Sequence, residues 1–201
     1  MAQEESNCAK WTSNLCIGAI VLGFTIGLVY PLVWIITARA STKYTVNITS
    51  VHGLDPAQDL HSDRQALSPV FGITVQIDNT HNKLTGECVG GDGSSVVVSY
   101  GDALLGKGMV PGFCVQPTRV GEAAAKAGGM NEQMPHFLRY RLAGELERGQ
   151  AVVDVVVRTP GGGGCYINRC VDTVLVCKAK IGGGPSPCFL ARTVSGTTAN
   201  R

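Results

Sequence analysis

Charged residues are missing from one long stretch near the amino terminus. No Asp, Glu, Lys, Arg or His occurs between Lys10 and Arg39, a run of 28 positions. A soluble core helix is seldom so long and apolar on every face, so this absence argues against one. The densely apolar part, 15–38, has 24 residues, and a helix needs about 20 to cross a hydrocarbon core of ~30 Å. We therefore predict a single transmembrane helix at 15–38, after a short cytosolic tail at 1–14.

A cleaved signal sequence is the alternative interpretation of this run. Ala38-Arg39-Ala40 is a small-x-small pattern that a signal peptidase accepts. However, the run is longer than the ~7–15 apolar residues of a signal peptide, and acidic residues precede it. An uncleaved anchor is therefore favoured.

Small residues recur at a regular interval inside the run. Ala19, Gly23 and Gly27 are spaced by four and would share one helix face. This pattern lets two spanning helices pack closely, although Gly is also common in single spanning helices. The three residues are a candidate helix-packing seam.

The remaining sequence lacks strand-to-helix alternation and is dominated by period-two patterns. YTVNIT at 44–49 and FGITVQID at 71–78 alternate apolar with polar or small residues, and clusters rich in Gly, Pro, Asn and Asp separate further β-branched runs. Such patterns indicate antiparallel strands in a sandwich or barrel. We predict an all-β domain at 44–190 and a flexible tail at 191–201. The Ala-rich segment 121–134 is the one candidate helix, which we interpret as a short excursion between strands.

Motifs for cofactor, metal and nucleotide chemistry are missing as well. The glycines at 161–164 follow an apolar run, but the dinucleotide fingerprint would place Tyr166 at its last Gly. Gly106-Lys107 is followed by Gly108 instead of the Ser or Thr of a phosphate loop. The cysteine spacing lacks the C-x₂-C of zinc sites, and with a net charge of +2 no basic stripe suits nucleic acid. We predict no enzyme, no cofactor, no metal and no nucleic-acid partner.

Cysteines are the most informative polar residues. An even number beyond the apolar run, in a chain routed through the secretory pathway, predicts disulfides. Six cysteines allow 15 pairings, but Cys170 and Cys177 lie seven apart in one apparent strand, about 23 Å, which is too far for a bond. Cys165 and Cys170 could close a hairpin, and buried free thiols remain the alternative. The candidates are Cys88, Cys114, Cys165, Cys170, Cys177 and Cys188.

Two signals disagree on which side of a membrane the domain would lie. Lys10 before the run and Arg39 and Lys43 after it weakly favour a cytoplasmic domain. The cysteines and the sequon Asn47-Ile48-Thr49, a candidate glycosylation site, favour the lumen and then the cell exterior.

The order of several segments resembles a known family. After the apolar run come YTVNITSVHGLDP, VFGITVQIDNTHNKL, VSYGDALLGKGMVPGFCVQP and LAGELERGQAVVDVVVR. This order resembles the plant harpin-induced-like proteins, kin of the non-race-specific disease resistance protein, whose soluble portion is a group-two late-embryogenesis-abundant domain. The resemblance extends over residues 15–189. Its most specific elements are an Asn-containing turn, the block 100–117, and a signature formed by Leu146, Gly149, Val153, Val155 and Val157.

The chain also departs from the family pattern. Its turn has Asn79 and Asn82 but no Pro, where the family has Asn-Pro-Asn, and VVVSY replaces a strand with a double tyrosine. The resemblance implies a fibronectin- or immunoglobulin-like β-sandwich on one membrane anchor, resident in the plasma membrane with the sandwich outside the cell. It implies no catalytic residues.

Two functions are consistent with these expectations. The first is a non-catalytic protein that binds a partner at the cell surface in plant defence or stress response. The second is a structural protectant of membranes or proteins during dehydration or another abiotic stress. The expected partners are the lipid bilayer and a protein or cell-wall component, and homo- or hetero-oligomers are possible.

Overall fold

The structure, a computed structural model, describes residues 21–35, 41–60, 66–163, 165–166 and 169–196. Contacts between Cα atoms divide the chain into two compact units, Met1–Ala40 and Ser41–Arg201.

In the first unit, residues 21–35 form an α-helix, α1. None of the helices within the described ranges is long and apolar enough to cross a membrane. The predicted transmembrane helix at 15–38 is therefore wrong, and so is the predicted single-pass location in the plasma membrane. Positions 15–20 and 36–38 of that prediction lie outside the described residues.

The second unit is built mainly of strands. One α-helix, α2 (His136–Glu147), and a single-turn π-helix (Pro56–Leu60) interrupt them. The strands are β1 (Lys43–His52), β2 (Ala66–Leu67), β3 (Val70–Asp78), β4 (Glu87–Val89), β5 (Ser95–Tyr100), β6 (Ala103–Met109), β7 (Phe113–Val115), β8 (Val120–Gly128), β9 (Glu132–Gln133), β10 (Val152–Thr159), β11 (Cys165–Tyr166), β12 (Arg169–Lys180) and β13 (Ser186–Gly196).

Eight of these strands form one antiparallel sheet that closes on itself. The order is β10-β5-β6-β8-β3-β1-β13-β12, and β12 pairs again with β10. The closing strand β10 therefore has a partner on each edge: Val155 lies opposite Val98 of β5 and opposite Cys177 of β12. The prediction of an all-β domain is confirmed. The predicted sandwich is wrong, because a sandwich has two separate sheets and this sheet is a closed barrel.

The core lies inside the closed sheet. In β3, Phe71, Ile73, Val75 and Ile77 are buried, and the residues between them are only partly covered. The same alternation occurs in β1, β5 and β10. Successive side chains of a strand point to opposite faces, so the apolar side chains that alternate in 44–49 and 71–78 lie on the face turned into the core.

The segment predicted as a possible helix, 121–134, is strand β8 followed by the short β9. Strand β8 pairs with β3 over nine residue pairs, from Val70↔Gly128 to Asp78↔Val120. The backbone of β8 also lies close to β6, since a Cβ added at Gly108 of β6 would overlap the carbonyl oxygen of Lys126 in β8. Sheet pairing thus overrides the helix propensity of alanine.

The carboxyl-terminal strand runs past the predicted end of the domain. Strand β13 continues to Gly196, so residues 191–196 of the predicted tail belong to the sheet. Residues 197–201 lie outside the described part of the chain.

Candidate binding site on helix α2

The structure pairs cysteines that lie directly opposite each other in neighbouring strands. Cys88 of β4 is bonded to Cys114 of β7, and Cys177 of β12 is bonded to Cys188 of β13. Cys170 is also disulfide-bonded. Its backbone partner across the short hairpin of β11 and β12 is Cys165. Cys170 and Cys177, which the strand spacing excluded as a pair, do not bond to each other.

The other predicted sites do not gather into a functional site. Asn47 lies in the middle of β1, half-buried and opposite Thr74. Gly23 and Gly27 lie one turn apart on α1 with open space around them. Ala19 lies outside the described residues. Helix α2 carries a more distinctive set of exposed residues.

Helix α2 forms because one of its sides is buried. Leu138, Leu142 and Ala143 are spaced by about one helical turn and are buried, and α2 packs against the π-helix. Its end is a Schellman motif, in which Gln150 N–H donates to Glu145 O and Gly149 N–H donates to Leu146 O. Gly149 has φ +61°, a conformation that favours glycine. This turn returns the chain to β10, which explains the Leu146, Gly149 and valine signature.

The opposite side of α2 exposes two large aromatic side chains and two arginines. Phe137 is 70% exposed and Tyr140 is 61% exposed. Arg141 and Arg148 are exposed as well. At 100° per residue these four positions fall within about a third of the helix circumference. We call them the α2 face: Phe137, Tyr140, Arg141 and Arg148.

A cleft of about 470 Å³ lies beside this face. Helix α2 forms one wall with Arg141 and Glu145, and its C-cap residue Arg148 lies at the edge. The sheet supplies the other walls with Tyr100 at the end of β5 and with residues of β10 and β12. These strands are neighbours in the closed sheet, which brings together residues far apart in sequence. The cleft is lined by Tyr100, Gly101, Leu138, Arg141, Glu145, Arg148, Gln150, Val152, Asp154 and Lys178.

Two ion pairs use both carboxylates of the cleft. Arg141 Nε lies 3.0 Å from Glu145 Oε1, one turn along α2. Lys178 Nζ lies 3.0 Å from Asp154 Oδ1, across the β10–β12 pairing. Three cations against two anions give the lining a net charge of +1. Among the described residues these pairs leave Arg148 without a carboxylate partner.

The floor of the cleft contains a buried hydroxyl. Tyr100 is 5% exposed, and within the described part of the chain its hydroxyl makes no hydrogen bond of normal length and angle. Burial raises the pKa of Tyr100, and the nearby Glu145 carboxylate raises it further, so the phenol keeps its proton. The Arg141 guanidinium carbon lies 6.0 Å from the centre of the ring. A buried hydroxyl without a partner costs about 1–3 kcal/mol, which a ligand acceptor would recover.

The residues of this site were not predicted from the sequence. The signal was present: Phe137, Tyr140, Arg141 and Arg148 share one face under helical spacing. It was missed because Arg139, at 2% exposure, interrupts the buried stripe of α2, while two aromatic residues lie outside it. This arrangement hides the usual amphipathic pattern.

The cleft is lined by charged and hydrogen-bonding groups. Its ten lining residues include no His, Ser, Thr or Cys, and its two carboxylates and Lys178 are engaged in ion pairs. Within the described ranges, no group of three or more His, Cys, Asp or Glu residues is placed to hold a metal ion. What the site offers is charge, hydrogen-bond donors and exposed aromatic surface.

Comparison with known proteins adds no relative from which a function could be transferred. The chain matches no protein-family model, no curated protein and no solved structure.

Proposed function

We propose that this protein is a non-catalytic binding module that recognises a protein partner through the α2 face. The observation that carries the proposal is the composition of that face. Tyr, Phe and Arg are enriched at protein interfaces, and a few such residues usually supply most of the binding energy. Here two aromatic rings and two arginines project from one side of one helix.

The packing of helix α2 on the side opposite the α2 face supports the same function. Helix α2 is fixed on its inner side by Leu138, Leu142 and Ala143 and at its end by the Gly149 turn. A rigid scaffold that presents exposed residues loses little conformational freedom when it binds. The exposed rings are therefore ready for a partner without rearrangement.

The resemblance to harpin-induced-like proteins supports a biological setting for this binding. We propose that it operates in plant defence or stress response, and this part of the proposal rests on the sequence resemblance alone. A general structural protectant, the alternative function, would act through its whole surface instead of one helix face. The two functions differ in whether substitutions on α2 matter more than substitutions elsewhere.

A photo-crosslinking experiment tests the proposal. A photoreactive phenylalanine is placed at position 140 of the full-length chain, and in a control chain at position 130. Met130 is 89% exposed and does not belong to the α2 face. We expect position 140 to capture a protein that excess unlabelled chain competes away, and position 130 not to capture it.

Binding of the purified partner then provides the decisive measurement. The double variant Phe137→Ala, Tyr140→Ala should weaken the affinity by at least about 100-fold, since two hot-spot residues are lost. Met130→Ala should leave it unchanged. Equal capture at positions 140 and 130, or an unchanged affinity of the double variant, would reject the α2 face as the binding site.

A further inference from the structure

We infer that the cleft beside α2 receives the carboxylate of an acidic side chain, contributed by the protein partner proposed above. The inference rests on the proposed function and shares Arg141 and Arg148 with the α2 face, but it depends on the cleft and not on Phe137 and Tyr140. The α2 face supplies exposed aromatic area, whereas the cleft supplies Arg148 and the Tyr100 hydroxyl.

The charges of the cleft favour an anion with a single charge. Arg141 and Lys178 are each 3.0 Å from a carboxylate oxygen. Arg148, the third cation of the cleft lining, takes part in neither of these two ion pairs. One carboxylate would neutralise the net charge of +1. A dianionic phosphate would face Glu145 and Asp154 with an extra negative charge, and like charges at close range repel.

Arg148 is held where it can reach such a ligand. It is the C-cap residue of α2, and its side chain lies against the helix beside Gly144. A Cβ added at Gly144 would be 3.3 Å from Nη1 of Arg148, so the missing side chain leaves room for the guanidinium. Guanidinium groups bind carboxylates through two parallel hydrogen bonds.

The Tyr100 hydroxyl is the second, independent feature that points to a ligand. It is a protonated donor in a nearly buried side chain, and within the described residues it makes no hydrogen bond of normal length and angle, although the Glu145 carboxylate lies near enough to raise its pKa. A carboxylate oxygen is an acceptor without a proton of its own, so it complements this donor. The cleft, at about 470 Å³, lies within the ~300–1,000 Å³ range of binding pockets.

Peptide titrations of the full-length chain test the inference. The probes are acetyl-(Glu)₄-amide and the matched acetyl-(Gln)₄-amide, and the readout is the NMR signals of the Arg148 guanidinium and the Tyr100 ring. We expect the glutamate peptide to produce saturable shifts with a dissociation constant near ~1 mM. The glutamine peptide should produce none. Raising the salt concentration should weaken the binding, because exposed charges are screened.

Three variants locate the binding. Arg148→Gln should weaken it by at least about 10-fold, because a charge-assisted hydrogen bond is lost. Tyr100→Phe removes only the hydroxyl, which makes no hydrogen bond of normal length and angle among the described residues, so the fold should tolerate it while binding weakens. Arg192→Gln removes an exposed cation of β13 that does not line the cleft and should have no effect.

The outcomes separate this inference from the proposed function. Absence of shifts up to about 20 mM peptide, where a ~1 mM site would be nearly saturated, overturns it. Equal binding of the glutamine peptide, or an equal loss in Arg192→Gln, does so as well. If free N-acetylglutamate binds as tightly as the peptide, the cleft takes a small acid, and the assignment to a partner's side chain is wrong. The dependence of partner binding on Phe137 and Tyr140 is measured separately and can survive each of these results.

Discussion

Replacing Asn79 should destabilise the fold more than its small size suggests. Its side chain is completely buried. Its Nδ2 donates to the carbonyl oxygen of Thr85 at 2.8 Å and to that of Gln116 at 3.3 Å. Its Oδ1 accepts from the Thr42 hydroxyl at 2.8 Å. One amide therefore joins the start of β1, the turn after β3 and the connection between β7 and β8.

The magnitude follows from these three hydrogen bonds. Each contributes about 1 kcal/mol net, and a buried partner left unpaired costs about as much or more. We expect Asn79→Ala to lower the free energy of unfolding by about 3 kcal/mol. Asn79→Asp should cost more at pH 7, because a buried carboxylate would face the two carbonyl oxygens of Thr85 and Gln116.

The pH dependence of the Asn79→Asp variant has a definite sign. Burial and the facing carbonyl oxygens would raise the pKa of the introduced carboxyl group in the folded state above its value in the unfolded chain. The folded state would then hold the carboxyl proton more tightly, so stability falls as the pH rises above the unfolded pKa. The extra cost relative to Asn79→Ala should therefore shrink as the pH is lowered towards 4.

Urea unfolding of the full-length chain, followed by far-ultraviolet circular dichroism, measures these effects. With a slope of about 2 kcal/mol/M, a loss of 3 kcal/mol lowers the midpoint by about 1.5 M. Asn47→Ala is the matched control, since Asn47 is half-buried in β1 and should change stability by less than about 1 kcal/mol. Similar losses for Asn47→Ala and Asn79→Ala would refute the argument that the hydrogen bonds of Asn79 join the three segments.

Further predictions concern the core, helix α2 and the disulfides. Ile73→Asp should cost several kcal/mol because Ile73 is buried, while the half-buried neighbour in Thr74→Asp should cost far less by the same urea assay. Gly149→Ala should cost about 1–2 kcal/mol at its positive φ, whereas Gly144→Ala within α2 should be neutral or stabilising in thermal melts. Alkylation of the denatured, unreduced chain followed by mass spectrometry should leave Cys88, Cys114, Cys170, Cys177 and Cys188 unmodified, and labelling of all of them would contradict the disulfide pattern.

The strands could be predicted from the sequence because their signal is local. Alternation in β1 and β3 reflects one buried and one outer face, and burial follows it residue by residue. Closure of the sheet has no such local signal. Whether β10 pairs with one neighbour or two depends on whether β5 and β12, which are about 75 residues apart in the chain, both reach it. A sandwich and a closed sheet therefore produce the same alternation.

The errors at α1, β8 and α2 have separate physical causes. A long uncharged run predicted a span at 15–38, whereas the described helix covers residues 21–35. Alanines suggested a possible helix where small side chains instead fit a crowded sheet around Gly108 and Lys126. Helix α2 was missed since its buried side includes Arg139. Each of these predictions relied on the type of the residues and not on where they lie in the folded chain.

The candidate site could not be predicted from the sequence for a different reason. The cleft combines Tyr100, two turns of α2 and two further strands, and only the sheet order brings them together. The disulfides follow the same rule. Six cysteines left many pairings open, and the bonded pairs are those that strand register places opposite each other, as for Cys88↔Cys114.

Alkaline pH should weaken the fold through Tyr44. The side chain is 5% exposed, and its hydroxyl donates to Glu87 Oε2 at 3.3 Å. Burial raises the pKa of Tyr44 above its ordinary value of 10.0, and the Glu87 carboxylate raises it further, against a smaller opposing effect of Arg192.

The folded state therefore holds the phenolic proton after the unfolded chain has released it. The contribution of Tyr44 to the free energy of unfolding is fully present below about pH 10 and is lost as the pH rises towards the pKa of the folded state. The free energy of unfolding then falls by up to about 1.4 kcal/mol per pH unit. Tyr44→Phe should reduce the slope of stability against pH between about pH 9.5 and 11.5 in urea unfolding, with Tyr100, whose pKa is also raised, contributing to what remains, whereas Tyr140→Phe, at an exposed position, should leave the slope unchanged. An unchanged slope in Tyr44→Phe would mean that another group controls the alkaline transition.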